Sequence, residues 1–488
     1  MSAVITPAPA REDSSFFGQP RPLASIFGVE MWERFSFYGM QGILLIYLYY
    51  SAAEGGLGIP QATAAGIVGA YGGGVYLSAV LGAWVADRLL GSERVLFFSA
   101  IIIMFGHIAL ALLPGVLGVT AGLILVAVGS GGLKASSASV IGKLYSAEDP
   151  RRDAGFSLFY LGINLGAFFG PILTGILQSS LGFHFGFGLA AVGMALGLVQ
   201  YSLGRKRLPD SARHVPNPLP TSRLPLVSGI AVCAVVLIVV LVMIGVITAE
   251  NLVTIVIGLT VVATIAYFAV VLSSKLVTPT ERKRVYAFIP LFISSAAFWS
   301  LYQQQFTVVT IYSDERLNRD LFGWVMPVSW VQSINPIFII LLSGVFAAVW
   351  TKWGPRQPST PLKFAAGTVI MGLAFLLFLP FAGGAASSTP LLAMVGILLV
   401  FTIAELLLSP VGLSVATKLA PKVFQTQMIA MFLLSIALGS AVSGWLTTWY
   451  LTVPETLYFG VLGGIAIVLG LGLACIAKPV LRLMSGVR

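Results

Sequence analysis

Apolar windows of about 20 residues recur down almost the whole chain, and that repetition rules out most of what a polypeptide can fold into. They fall near 29–53, 62–86, 95–113, 117–141, 154–178, 184–203, 226–246, 251–273, 286–311, 323–349, 362–382, 390–416, 422–447 and 456–477. Roughly 20 apolar residues of helix cross the hydrocarbon core of a bilayer, so about fourteen such windows predict an all-α polytopic membrane protein. With 57% hydrophobic and 9% charged residues in 488, the chain is too apolar for a soluble enzyme. Residues 1–22 hold Arg11, Glu12 and Asp13 but no apolar run. No cleavable signal peptide is expected, and the first span doubles as the insertion signal. Cys233 and Cys475 are the two cysteines, each in an apolar stretch, which excludes a disulfide framework and a Cys-rich metal site.

The formal net charge of +10 invites a nucleic-acid reading, but its distribution argues for a membrane. Lys and Arg collect between alternate windows, as at Lys143, Arg151 and Arg152, at Arg205, Lys206 and Arg207, and at Arg282, Lys283 and Arg284. The intervening loops hold almost none beyond Arg316 and Arg319. This positive-inside pattern places the basic loops and both termini in the cytoplasm and the chain in the cell membrane.

The longest connection runs from Gly204 to Leu224 and is rich in proline and basic residues, as a linker should be. The two spans after it are built mainly from Val, Ile, Leu and Ala and read as lipid-filling. The expected organisation is a tail over 1–28, a six-helix bundle over 29–203, and a linker over 204–225. A two-helix insertion over 226–273, a linker over 274–285, a second six-helix bundle over 286–477 and a tail over 478–488 complete it. A basic, glycine-containing turn recurs at the same point of each bundle: Gly82-Ala-Trp-Val-Ala-Asp87-Arg88-Leu-Leu-Gly91-Ser-Glu-Arg94, then Trp350-Thr-Lys352-Trp-Gly354-Pro-Arg356. The echo points to structural repeats. The first copy resembles the loop motif of the major facilitator superfamily, in which Asp87 can accept hydrogen bonds from a neighbouring helix N-terminus.

Three charges break the first window, in Glu30-Met31-Trp32-Glu33-Arg34-Phe35-Ser36-Phe37-Tyr38-Gly39. An ionisable group near mid-membrane costs roughly 2.5–3.5 kcal/mol on insertion scales, so the three demand a polar cavity, partner charges or both. Helical spacing puts Glu30, Arg34, Phe37, Tyr38 and Gln41 on one face. Further on, Lys134, Asn164, Asn335 and Glu405 stand out in apolar surroundings. The first bundle contributes Arg34 and Lys134, the second Glu405. A zwitterionic ligand fits that polarity, its carboxylate on Arg34 and Lys134 and its ammonium on Glu405 and Asn335, with Tyr38, Tyr76 and Trp299 lining side-chain pockets. A structural ion pair between Lys134 and Glu405, with the aromatics as packing residues, is the alternative.

The run Glu30-x-x-Glu33-Arg34-Phe35-x-Phe37-Tyr38-Gly39 resembles the ExxERFxYYG signature of the proton-coupled oligopeptide transporters. Phe156-Ser-x-x-Tyr160-x-x-Ile163-Asn164-x-Gly166, Phe298-Trp299, Ser333-Ile-Asn335-Pro336 and Glu405-Leu-Leu-Leu-Ser409-Pro410 extend the similarity over nearly the whole chain. The resemblance implies a major facilitator fold of two six-helix halves plus an extra pair of helices, and symport of di- and tripeptides with protons by a monomer without cofactor or metal. It implies proton coupling through Glu30, Glu33 and Arg34, and peptide binding by Arg34, Tyr38, Tyr76, Lys134, Asn164, Trp299, Asn335, Glu405 and Ser409. Lys134 and Glu405 would double as an intracellular gate.

The departures are specific. Phe37 replaces a tyrosine, Lys134-Ala135-Ser136 replaces Lys-Pro-Asn, and Gln41 and Gln303 replace an Arg and a Glu. Losing both charges together keeps the core electrically consistent, with Gln41 expected to bond Gln303. Gln61 stands where some relatives place an Arg opposite the acid at Glu315, so the usual outer charge pair is not expected. His107 and His184 are read as packing residues, and the glycines at 72–74 as a helix contact, since no Gly-Lys-Ser/Thr follows. A same-fold carrier of nitrate or another small anion is the alternative function, and a non-transporting sensor a more distant one. Membrane-embedded enzymes need clustered ligands or dyads that this sequence lacks.

Overall fold

The computed structural model describes residues 16–145, 149 and 151–487. The start of the expected N-terminal tail therefore lies outside the described residues. The first half comprises α1 (Pro22–Tyr49), α2 (Gln61–Val85), α3 (Ser92–Leu112), α4 (Gly115–Gly142), α5 (Arg152–Leu181) and α6 (Phe183–Gly204). Two more helices, α7 (Leu224–Met243) and α8 (Leu252–Ser273), precede the second half. That half holds α9 (Pro279–Tyr302), α10 (Val308–Glu315), α11 (Ile334–Trp353), α12 (Thr360–Leu376), α13 (Leu391–Leu419), α14 (Gln425–Tyr450) and α15 (Glu455–Cys475), and a short α16 (Ala477–Leu483) follows.

Thirteen helical stretches among the described residues are long and apolar enough to cross a membrane. The fourteenth is α1, whose 28 residues are ample in length but include three buried charges. It starts at Pro22 rather than near 29, because a proline at the first helical position has its φ already set and no N–H to leave unpaired. One expected span is broken in two: a 3-10 turn over Gln303–Phe306 separates α9 from α10. Another starts later than the apolar window suggested. Residues 320–325 form a small antiparallel hairpin, Asp320–Leu321 against Trp324–Val325, with Gly323 at φ +89° in its turn. The apolar run Trp324-Val325-Met326 masked that turn.

Close helix crossings hold the bundle together. At the α1–α5 contact a Cβ on Gly39 would lie 3.2 Å from the Gly170 carbonyl, and at the α2–α14 contact one on Gly69 would lie 2.7 Å from Gly444 Cα. In lipid no hydrophobic force draws helices together, so such backbone-to-backbone packing is the main attraction. The two extra helices differ from each other. No residue of α7 is buried, while α8 seats Val253 and Val256 against Gly66 and Gly73 of α2.

Among the described residues the Asp87 side chain makes no bond to a helix N-terminus. Residues 86–90 make a wide π turn, and it is the backbone carbonyls of Asp87 and Arg88 that accept, from Asn217 N (3.0 Å) and Leu219 N (2.9 Å) of the linker. The proline-rich segment is thereby fastened across the basic turn.

Candidate functional site: a central cavity between the halves

The charges of α1 are resolved internally. Arg34 donates to Glu30 Oε1 through Nε (3.0 Å) and one terminal nitrogen (2.7 Å), and its Nε lies 3.3 Å from Glu33 Oε2. Glu33 Oε1 accepts from the Ser130 hydroxyl of α4 at 2.8 Å. Glu30 and Glu33 are 1% and 0% exposed, so neither carboxylate borrows solvation from water. Two carboxylates share one guanidinium; with both ionised the cluster carries one net negative charge. One proton would neutralise it.

Lys134 sits in aromatic surroundings. Its Nζ lies 4.7 Å from the Phe37 ring centroid and 6.0 Å from that of Tyr76, and no ion pair among the described residues joins it to Glu405. Phe37, the position where the family signature has a tyrosine, thus offers a π face to the ammonium.

Glu405 is held within its own half. Its Oε2 accepts from the Tyr302 hydroxyl (2.8 Å) and from Asn335 Nδ2 (3.1 Å), and the same amide reaches the Thr402 hydroxyl at 3.0 Å. Tyr302 is the last residue of α9, where the helix breaks, and it was missed from sequence. The break itself, a tyrosine followed by three glutamines, was the available signal.

A cavity of about 550 Å³ lies between the halves, walled by Tyr38, Tyr160 and Asn164 on one side and by Asn335, Glu405 and Ser409 on the other. Arg34, Tyr76, Lys134 and Trp299 do not form its wall; Trp299 is buried against Gly439 and Tyr302. Asn164 Nδ2 donates to the Tyr160 carbonyl one turn back, leaving its amide oxygen for other partners. Asn164 lies twelve residues into α5, about 18 Å along it at 1.5 Å per residue, near mid-membrane. From there the cavity runs past Phe156 and Ala347 toward the end of the bundle that carries the basic loops.

The opposite end is latched. Asp314 of α10 accepts from the hydroxyls of Tyr49 (2.6 Å) and Tyr50 (2.8 Å) in the first half and from Arg319 (3.0 Å) in the second. Gln61 Nε2 donates to Glu315 Oε1 at 2.9 Å, so an amide-to-carboxyl hydrogen bond stands where the usual charge pair was not expected. Ser329 and Trp330 donate to the carbonyls of Pro171 and Ile172. The expected Gln41–Gln303 bond does not form. Gln303 donates instead to Ser440 at 2.8 Å, on the helix packed beside it, and the buried Gln41 Oε1 has no partner among the described residues. His184 Nδ1 pairs with the Leu110 carbonyl at 3.0 Å, and His107 is fully buried with neither ring nitrogen bonded to a described residue.

Two repeated bundles around a mid-membrane cavity, latched at one end and open at the other, define a secondary transporter of the major facilitator type. The chain belongs to the POT family, whose model matches residues 93–462. It is 43% identical to the uncharacterized transporter YclF of Bacillus subtilis (strain 168), over 97% of this chain and 96% of that one. It is 40% identical to a di-/tripeptide transporter of Lactococcus lactis subsp. cremoris, over 98% and 99%. Its fold matches a crystal structure of peptide transporter POT, as a point mutant in complex with alafosfalin, with a TM-score of 0.92, 43% identity and coverage of 97% and 98%.

Proposed function

We propose that this chain is a proton-driven symporter that imports di- and tripeptides by alternating access between its two halves. The observation that carries this reading is the occupancy of Arg34 by two carboxylates. A peptide carboxylate can take that guanidinium only when an internal partner lets go, and protonating Glu30 or Glu33 is the change that releases it. Lys134 supports the same end of the substrate, while Glu405, Asn335 and Asn164 take its amino end. Tyr38 and Ser409 complete the wall; Tyr76 and Trp299 lie behind it in this state and would meet the substrate only after the halves move. A relative that carries di- and tripeptides, and a close structural match holding alafosfalin, favour the peptide assignment. The basic end faces the cytoplasm with both termini, by the positive-inside rule, so the open cavity is the releasing state of a monomer in the cell membrane. The Lys134–Glu405 gate would close in the other state.

Uptake of a labelled dipeptide into proteoliposomes is expected to rise with an inward proton gradient and to fall to the passive level with an uncoupler. Indifference to both would overturn the coupling. The latch makes a separate prediction. In a background with Cys233 and Cys475 replaced by alanine, a Ser329→Cys reporter under the latch should react with an impermeant maleimide about tenfold faster when Asp314→Ala is added. Tenfold corresponds to about 1.4 kcal/mol, about the worth of one hydrogen bond to a charged group and so a lower bound for the two tyrosine bonds that cross the halves. An unchanged rate would mean Asp314 does not hold the outer end shut.

A further inference from the structure

A second cavity, of about 820 Å³, opens at the basic end of the second half, lined by Trp350, Gln357, Ser359, Thr360, Lys363 and Lys418 among others. It meets the central cavity at Ser343 and Pro410 but lies under the second copy of the basic turn, which the transport cycle leaves unused. No acidic side chain is among the described residues lining it.

The two halves handle the same place differently. In the first half, the helix after the basic turn begins Ser92-Glu93-Arg94. Glu93, 1% exposed, takes Arg205 at 2.7 Å and Arg213 at 3.9 Å, so that half supplies its own anion. In the second half, α12 begins Thr360-Pro361-Leu362-Lys363 with no acid in its first turn. Lys363 is positioned by neutral groups alone: Nζ donates to Gln357 Oε1 at 2.9 Å and lies 4.3 Å from the Trp350 ring centroid.

Donors wait beside it. Thr360 is 8% exposed and its hydroxyl makes no hydrogen bond among the described residues. Ser359 occupies the N-cap position of α12 without making the cap bond, and its Oγ is buried with no partner among the described residues. A helix N-terminus, two lysines and two free hydroxyls facing one cavity favour a compact anion. Phe346, Leu406, Val411 and Val415 make much of the remaining lining apolar, a seat for the start of an acyl chain.

We propose that this cavity binds the phosphate of an anionic phospholipid, with its headgroup on Lys363, Lys418, Thr360 and Ser359 and the start of its acyl chain against Phe346 and Val411. The purified full chain in neutral detergent can be titrated with phosphatidylglycerol, phosphatidylcholine or inorganic phosphate while thermal unfolding is followed. Phosphatidylglycerol should stabilise it where the other two do not. Half-saturation should rise about fivefold in Lys363→Gln and again in Lys418→Gln, and stay put in Lys352→Gln, an exposed lysine outside the cavity. The Lys418 variant keeps the test alive if the Lys363 variant folds poorly, since Lys418 is exposed. Wild-type affinity in both variants would overturn the site. Equal stabilisation by inorganic phosphate or by phosphatidylcholine would overturn the lipid assignment.

Discussion

A chain carrying Glu33→Gln is expected to exchange dipeptide across a liposome membrane yet accumulate none against a gradient. Glu33 is the more weakly tied of the two carboxylates: it sits 3.3 Å from Arg34 Nε and accepts one hydroxyl, while Glu30 receives two guanidinium bonds. Glutamine there balances one carboxylate against one guanidinium permanently, which imitates the protonated cluster. The substrate can still come and go, but no proton need travel with it. If this cluster carries one proton per peptide, each pH unit across the membrane supports up to a tenfold concentration ratio in the native protein, and that ratio should drop to one in the variant. Counterflow and gradient-driven uptake, measured side by side, separate the two processes. Persistent uphill transport would move the coupling site elsewhere.

Glu405→Gln should weaken a free-amino dipeptide by roughly tenfold to a hundredfold, the range of a lost charge-assisted hydrogen bond of about 1.5–3 kcal/mol. The informative comparison is with the same dipeptide acetylated at its amino terminus. Native protein should prefer the free amine strongly, and the variant should hardly distinguish the two. Tyr302 and Asn335 donate equally well to a glutamine oxygen, so the local fold should survive. A variant that still discriminates would place the amino end of the substrate away from Glu405.

The helical architecture was legible because lipid tolerates so few solutions: each span had to satisfy its backbone internally, and apolar length alone located it. The halves were legible through the echo of the basic turn, and the candidate site residues stand out in the sequence as charges that hydropathy should forbid. Hydroxyls escaped. Ser130 and Tyr302 hold Glu33 and Glu405, yet neither disturbs an apolar pattern, so neither drew notice. Asp314 stands beside Glu315, the acid of the familiar pair, and nothing in the local sequence marks it as the one that takes three hydrogen bonds. Charge bookkeeping rightly required that Gln41 and Gln303 change together, but it could not supply rotamers; Ser440 lay nearer to Gln303.

The break at Gln303–Phe306 has a mechanical consequence. Tyr302, on one side of it, grips Glu405, while Asp314, on the other, carries the outer latch. The door and the handle thus hang on one chain, joined by a four-residue knuckle. The eight residues of α10 can swing outward while α9 keeps its hold on Glu405, so unlatching need not disturb a seated cargo.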